Sequence, residues 1–368
     1  MKVLHILDSL NRGGVEMLTL DVCRSAQQNG LDLTFAATGG GTLETDFSSS
    51  GVDFHRFQRK FPIDPLLVGK LRSLIQAKQI DIVHTHQAVA GIHAYLATIG
   101  TGIKNVLTFH GFYSGLKERT TMNFLIPRVS ANISCSSGLL EWLAGSEKVD
   151  VTKNFQVIYN GVDTERLKSN GARLRQELGL PPDTLLFGMV AHFYSALRKD
   201  QITLCRAFAM VAGELPSSHL ILVGGTETGG EDKYEQCVTI CREAGLLDRV
   251  HFLGRRDDVA NVVNSLDIYV FSSLHEGLPI ALLEAMLSKK PCLLSDIPPH
   301  LEVSDEGKYA EVFETQNAGE LAEKLVRLGK DKDFRDDLAN RGYEFARNTL
   351  TIESHIANLK TLYRSLLD

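Results

Sequence analysis

The sequence is as informative for what it lacks as for what it holds. It has no stretch of 18 apolar residues, so no helical segment is built to span a bilayer. The opening MKVLHILDSL has the outline of a leader peptide, yet its apolar core is only about five residues long. Asp8 interrupts that core and no small-residue cleavage site follows; the stretch reads as a β-strand instead. Positive charge is not in surplus: 39 Lys and Arg against 45 Asp and Glu give a formal net charge of −6. That balance argues against a broad nucleic-acid footprint. The six cysteines form no CxxC pair and no framework spacing. Cys237 and Cys241 can share a helix face, but no histidine stands near them to complete a metal site. Reduced, mostly buried thiols of a cytoplasmic protein are expected. No repeat of solenoid length is present.

What is there alternates. The chain has 368 residues, 43% of them hydrophobic, enough for two cores. Short apolar runs (VLHIL, LDLTFAATGG, IDIVHTH, NVLTFHG, ANISCSS, FQVIYNGVD) interleave with amphipathic helical stretches. The polar segment DTERLKSNGARLRQELGLPPDT then reads as a linker with a lead-in helix. A second series follows: LLFGMVA, HLILVGG, RVHFLG, IYVFSS and KPCLLSD. Strands apolar on both faces, separated by helices, predict parallel sheets covered on both sides. The expected fold is α/β, two Rossmann-like doubly wound domains facing across a cleft. The domains are placed at residues 1–165 and 166–335, with C-terminal helices at 336–368 able to cross back to the first. Ligands then belong at the carboxyl ends of the strands.

The stretch HEGLPIALLEAM, residues 275–286, carries the most chemistry. Pro279 suits the first turn of a helix, which puts Glu276 in the loop before it and Glu284 more than one turn inside. The helix start after the permissive Gly277 forms an anion site. Glutamates flanking a bound phosphate are repelled by it unless they hydrogen-bond neutral groups, and sugar and ribose hydroxyls meet that need. A capped helix with solvated acids is the plainer alternative on spacing alone. Gly13 and Gly14, after the first strand, allow close backbone approach to phosphate, though the pair is not a GxGxxG and is by itself only a turn. His110 ends the strand NVLTF ahead of Gly111, at the crevice; a lone histidine there is as readily structural. His84 and His86 are read as acceptor-side or packing residues, only one of them facing the crevice.

In order along the chain, NRGGVE (11–16), DIVHTH (81–86), LTFHG (107–111), VIYNGVD (157–163), GMVAHF…RKDQITLCRAF (188–208), LILVGG (220–225), VHFLGRRDDV (250–259) and DIYVFSSLHEGLPIALLEAM (267–286) resemble the retaining glycosyltransferases of the GT-B fold, group 1 (family 4). The resemblance implies that Glu276 holds hydroxyls of the transferred sugar and Glu284 the ribose of the nucleotide. It implies main-chain contacts from Gly277, Leu278 and the neighbours of Pro279 to sugar and diphosphate. Lys199 would neutralise the charge that grows on the leaving diphosphate, and Gly13 and Gly14 would face the donor from the other domain. His110 would stand beside the transferred sugar, and the loop of Arg255 and Arg256 would frame the base.

One departure stands out. Where the family has an arginine, this sequence reads GMVAHF, with His192 in that place. Either Arg198 supplies the permanent charge or His192 acts when protonated; both remain open at this level. Lys290 stands where the family often has glycine. The pair Asp331 and Asp333 makes a D-x-D, assigned to solvent because it lies in the charged tail.

The expected activity is transfer with retention from a UDP- or GDP-sugar to a hydroxyl of a glycan, lipid-linked or small-molecule acceptor. The enzyme is read as hexosyltransferase-like and metal-independent, with catalytic residues Glu276, Lys199 and His110, and with no cofactor besides the donor. A non-catalytic nucleotide-sugar-binding module and a nucleotide-sugar epimerase of the same fold are the alternatives. Partners are the donor and the acceptor, not nucleic acid. The basic, apolar segment 114–130 is read either as a peripheral contact with the inner membrane face or as an ordinary amphipathic helix.

Overall fold

Apolar runs become buried parallel strands in both halves of the chain. The computed structural model describes every residue except 114, 170, 196 and 197, and residue 172 by its backbone alone. The head of segment 114–130, and part of the stretch between His192 and Arg198, therefore lie outside the described residues. The backbone divides into two compact units, Met1–Asp163 with Thr351–Asp368, and Thr164–Leu350.

The first unit is built on β1 (Lys2–Leu7), β2 (Asp32–Ala37), β3 (Asp53–Arg56), β4 (Ile82–Thr85), β5 (Lys104–Phe109), β6 (Ala131–Ser134) and β7 (Phe155–Val157). They lie in the order β3-β2-β1-β4-β5-β6-β7, and every pairing is parallel. The helices between them have local causes. Asp64 caps the helix Pro65–Lys78 by accepting from the backbone N–H of Leu66 and Leu67, and Pro65 presets its first turn. Leu67, Leu71, Leu74 and Ile75 on that helix pack with Leu4, Ile6 and Val83 of the sheet. Burial of each such side chain is worth about 1.5–3 kcal/mol. The strand order reverses between β1 and β4, so the crevice of this unit opens beyond their carboxyl ends.

The second unit repeats the scheme with β8 (Leu185–Val190), β9 (Ser218–Val223), β10 (Val250–Phe252), β11 (Ile268–Phe271), β12 (Cys292–Ser295) and β13 (Glu311–Phe313). The order is β10-β9-β8-β11-β12-β13, again parallel throughout. Its reversal falls between β8 and β11. All four residues of β11 are buried, and the helix Ile280–Leu287 that follows buries seven of its eight.

The tail does not behave as one block. The helix Lys332–Thr349 packs on Ile280–Leu287 and stays with the second unit, whereas Ile352–Leu367 packs on Gly14–Ser25 in the first. The crossover is tight: the N–H of Ile352 donates to Val162 O at 3.0 Å. A Cβ on Gly161 would sit 2.4 Å from the Thr351 carbonyl oxygen, so only glycine fits. All six cysteines are buried and free. No described helix is long and apolar enough to cross a membrane.

Candidate functional site

In the second unit the sequence-predicted residues collect where β8 and β11 end. Beyond Phe271 the chain runs through buried Ser272 and Ser273 into the loop that precedes the helix Ile280–Leu287, with Pro279 at its N-cap position. The segment ending in Lys199 pairs with this loop: Leu274 N–H donates to Arg198 O at 2.6 Å, and Asp200 N–H to Ser272 O at 3.0 Å. Asp200 then caps the helix Gln201–Val211. This pairing fixes the position of Lys199. Its ammonium lies 2.5 Å from Glu276 Oε1, the two side chains being only 15% and 11% exposed. It also lies 4.4 Å from the centre of the Phe271 ring, a cation–π contact. The Ser273 hydroxyl meets the same Glu276 oxygen.

Glu284, in the second turn of the helix, is buried and meets Arg166 Nη1 at 2.6 Å. His192 lies just past β8. Its Nδ1 accepts from the Gly225 N–H at 2.9 Å, so the proton of the neutral ring sits on Nε2. Burial, then the neighbouring Arg255, hold its pKa below the ordinary histidine value. These surroundings favour the neutral ring. Beneath the Lys199–Glu276 pair lies His300, fully buried, its ring edge-on to Phe271 at 5.5 Å. Nδ1 of His300 contacts Ser295 O at 2.9 Å, and Nε2 has no hydrogen-bond partner. Burial pushes its pKa down to about 4, against the pull of Glu276.

In the first unit, Gly13 is the N-cap of the helix Gly14–Ser25. A Cβ there would come 2.7 Å from Glu16 Oε2. Glu16 is pushed up to about 7 by burial, against a hydrogen bond from Gln87. The Gln87 amide oxygen also accepts from Asp8 N–H at 2.6 Å, and burial raises Asp8 as well. At the carboxyl ends of β4 and β5, His110 Nε2 lies 2.9 Å from His86 Nδ1. His84 and His86 do not divide between two faces: residues two apart in a strand share one, and their rings stack at 4.4 Å.

Comparison with known proteins follows the same division. The family described as Glycosyltransferase Family 4 matches residues 12–166, and that described as Glycosyl transferases group 1 matches residues 171–345. The chain belongs to the group 1 glycosyltransferases. Among its relatives is the N-acetyl-alpha-D-glucosaminyl L-malate synthase of Bacillus anthracis, 27% identical over 83% of this chain and 80% of that one. Another is the Escherichia coli UDP-Gal:alpha-D-GlcNAc-diphosphoundecaprenol alpha-1,3-galactosyltransferase, 25% identical over 99% of this chain and 96% of the other. The crystal structure of Anabaena HepE in complex with UDP and glucose superposes with a TM-score of 0.86 at 20% identity, covering 99% of this chain and all of that one. That likeness identifies the fold as GT-B.

Within this glycosyltransferase several singled-out residues have other work. Arg256 is held by Glu177, at 2.7 and 2.9 Å, and by Asp258, at 2.8 and 2.9 Å. Both oxygens of each carboxylate contact its guanidinium. Arg255 pairs with Glu227. Lys290 donates to the carbonyls of Asn264 and Leu266 at 2.7 and 2.8 Å, closing the end of the helix Val259–Ser265. Asp331 caps the helix Lys332–Thr349, accepting from Phe334 N–H at 2.9 Å. Sequence reasoning missed Arg166, Ser273, His300 and Glu16. Arg166 sits in the stretch read as a linker; Glu16 lies in the quoted NRGGVE run, where its acid so close to two glycines was the available signal.

Proposed function

We propose that this glycosyltransferase moves a sugar from a UDP- or GDP-sugar to a hydroxyl of a glycan, lipid-linked or small-molecule acceptor, with retention and without a metal ion or further cofactor. The observation that carries the reading is the dry Lys199–Glu276 pair beside the helix start at Pro279. A diphosphate arriving at that helix start replaces Glu276 as the counter-ion of Lys199. Glu276 is then released to accept from hydroxyls of the donor sugar, and Glu284 from those of the ribose. As the glycosidic bond breaks, Lys199 and the helix start stabilise charge on the departing phosphate. Gly277 and Leu278 bring main chain to the sugar and diphosphate, Gly13 and Gly14 approach the donor from the first unit, and His110 stands beside the transferred sugar. With His192 neutral, Arg198 is the residue that supplies a second permanent charge. The acceptor attacks from the face the diphosphate leaves, and the leaving phosphate takes its proton.

The names of relatives support the donor and acceptor classes: one is named for UDP-Gal and a diphosphoundecaprenol-linked acceptor, another for L-malate. Lys290, where the family often has glycine, closes a helix end and so does not of itself favour a non-catalytic binding module. We place the protein in the cytoplasm, with a peripheral contact at the inner membrane face. The helix Leu116–Leu125 buries Met122 and Leu125 but leaves Leu116 77% and Phe124 39% exposed, and Arg128 stacks on Phe124 at 4.0 Å. Co-sedimentation with anionic vesicles at low and high salt tests that contact; no pelleting at low salt removes it.

A thermal-shift panel of UDP-, GDP- and ADP-sugars tests the donor class, because a ligand of the native state must raise its stability. NMR of the product then reads the anomeric configuration, and inversion would sink the mechanism.

A further inference from the structure

The first unit buries a chain of polar side chains that sugar transfer, as set out above, leaves unused. Thr108 Oγ1 lies 2.6 Å from His84 Nε2, and His84 Nδ1 lies 2.5 Å from the Tyr363 hydroxyl. The same hydroxyl lies 3.0 Å from His5 Nε2. His5 Nδ1 is 3.2 Å from His86 Nε2, and His86 Nδ1 is 2.9 Å from His110 Nε2. His5, His84, His86 and Tyr363 are at most 5% exposed. The links come from β1, β4, β5 and the C-terminal helix Ile352–Leu367.

Each imidazole of this chain is held neutral. Burial lowers His5 and His110 to about 3, and His84 and His86 well below their ordinary value. A neutral ring has one N–H and one lone pair, and Tyr363 has one proton between two imidazole nitrogens. Tyr363 can also accept from both rings, but its own buried proton then has no acceptor, so only two arrangements satisfy every link and use every proton. Either all protons point toward His110, whose own proton is then on Nδ1, or all point away, and it is on Nε2. A reversal between two rings sets two N–H groups, or two lone pairs, face to face, and a reversal at Tyr363 leaves its hydroxyl proton or a ring nitrogen unpaired, each at a cost of about 1–3 kcal/mol in a dry interior. Proton order is thus shared along the whole chain.

We propose that Tyr363, His5, His86 and His84 are positioning residues that hold the ring of His110 and tie its tautomer to the proton order of this hydrogen-bonded chain. The role given to that tautomer, presenting one defined ring nitrogen to the transferred sugar, rests on the function proposed above; the chain itself does not. His5, His84 and His86 also each offer a nitrogen within 4.8 Å of the others, the geometry of a shared cation. Yet all six of their ring nitrogens are already hydrogen-bonded, and a metal would have to displace those partners.

The test is long-range ¹H–¹⁵N correlation on protein labelled at histidine ring nitrogens, at pH 7.5. In the unaltered protein His110 should give one pyrrole-like and one pyridine-like nitrogen, a single neutral tautomer. Tyr363→Phe, three links away, should move both His110 nitrogens toward averaged values. Thr108→Val, at the far end, should do the same and serves if Tyr363→Phe does not fold. Turnover should drop roughly 10- to 100-fold with donor affinity unchanged. His110 in an unchanged single tautomer in the folded variants would overturn the proposal. So would stoichiometric uptake of zinc alone by the unaltered protein with shifts at His5, His84 and His86. A scrambled tautomer with undiminished sugar transfer would uphold the chain and refute the place of His110 beside the sugar.

Discussion

Lys199 and Glu276 neutralise one another at 2.5 Å while both are largely shielded from water. Under the proposed function, donor binding exchanges the partners of these two charges instead of creating a buried charge. Lys199→Ala and Glu276→Ala should each lower turnover by about 100-fold or more, the loss seen when one charge-stabilising donor is removed. A radiolabelled-sugar assay reads this, and undiminished transfer by either variant would refute the assignment.

Arg166 and Glu284 form the second pair, with side chains 17% and 7% exposed. Arg166→Ala leaves a buried carboxylate without that partner and should destabilise the chain by about 3 kcal/mol. Glu284→Gln added to it should recover part of the loss. Chemical denaturation of the two variants checks this; equal stability of Arg166→Ala and the unaltered chain would show that the pair is unimportant.

Glu16 gives a pH dependence of definite sign. The unfolded chain loses this proton near the ordinary value of 4.5, whereas the folded chain keeps it to about 7. The group therefore costs stability as pH rises from 4.5 to 7, reaching about 3 kcal/mol above that. Asp8, also raised, and Gln87 are the groups facing it. Glu16→Gln should be the more stable protein at pH 8 and lose that advantage near pH 4. A gap independent of pH would contradict the buried-acid reading.

Histidines act in the other direction. His5, His84, His86, His110 and His355 stay neutral in the folded first unit well below their ordinary value of 6.5. Their unfolded counterparts take up protons as pH falls through 6.5. Stability is full above that value and lost below it, by at most about 1.4 kcal/mol per pH unit for each ring. Melting curves from pH 7.5 to 5 should show a steep fall with uptake of several protons on unfolding; a flat profile would mean the rings are already charged or exposed.

The strands buried on both faces, such as IYVF and LLFGMV, were legible because continuous apolar runs leave no other solution, and of the short edge strands sequence reading found β7 and β10 as well. The two it missed, β3 and β13, are three or four residues long, lie at sheet edges and are only partly buried. Such strands need little apolar sequence, so they leave little signal. The site was legible where spacing and glycine fixed the backbone, at Glu276, Glu284 and Gly13. Arg166 was not, because its partner lies 118 residues further on and nothing local marks it. The histidine chain was hidden for the same reason: four separate segments supply it, and only tertiary structure aligns them.

The first unit includes residues from both ends of the chain, while the second is one uninterrupted stretch. During synthesis the middle of the sequence can therefore reach its final form before the beginning does. The first unit gains Tyr363, the middle link of its histidine chain, only once the helix Ile352–Leu367 has been made. Shortening the chain at Leu350 should consequently injure the segment made first, hundreds of residues away in sequence from the cut.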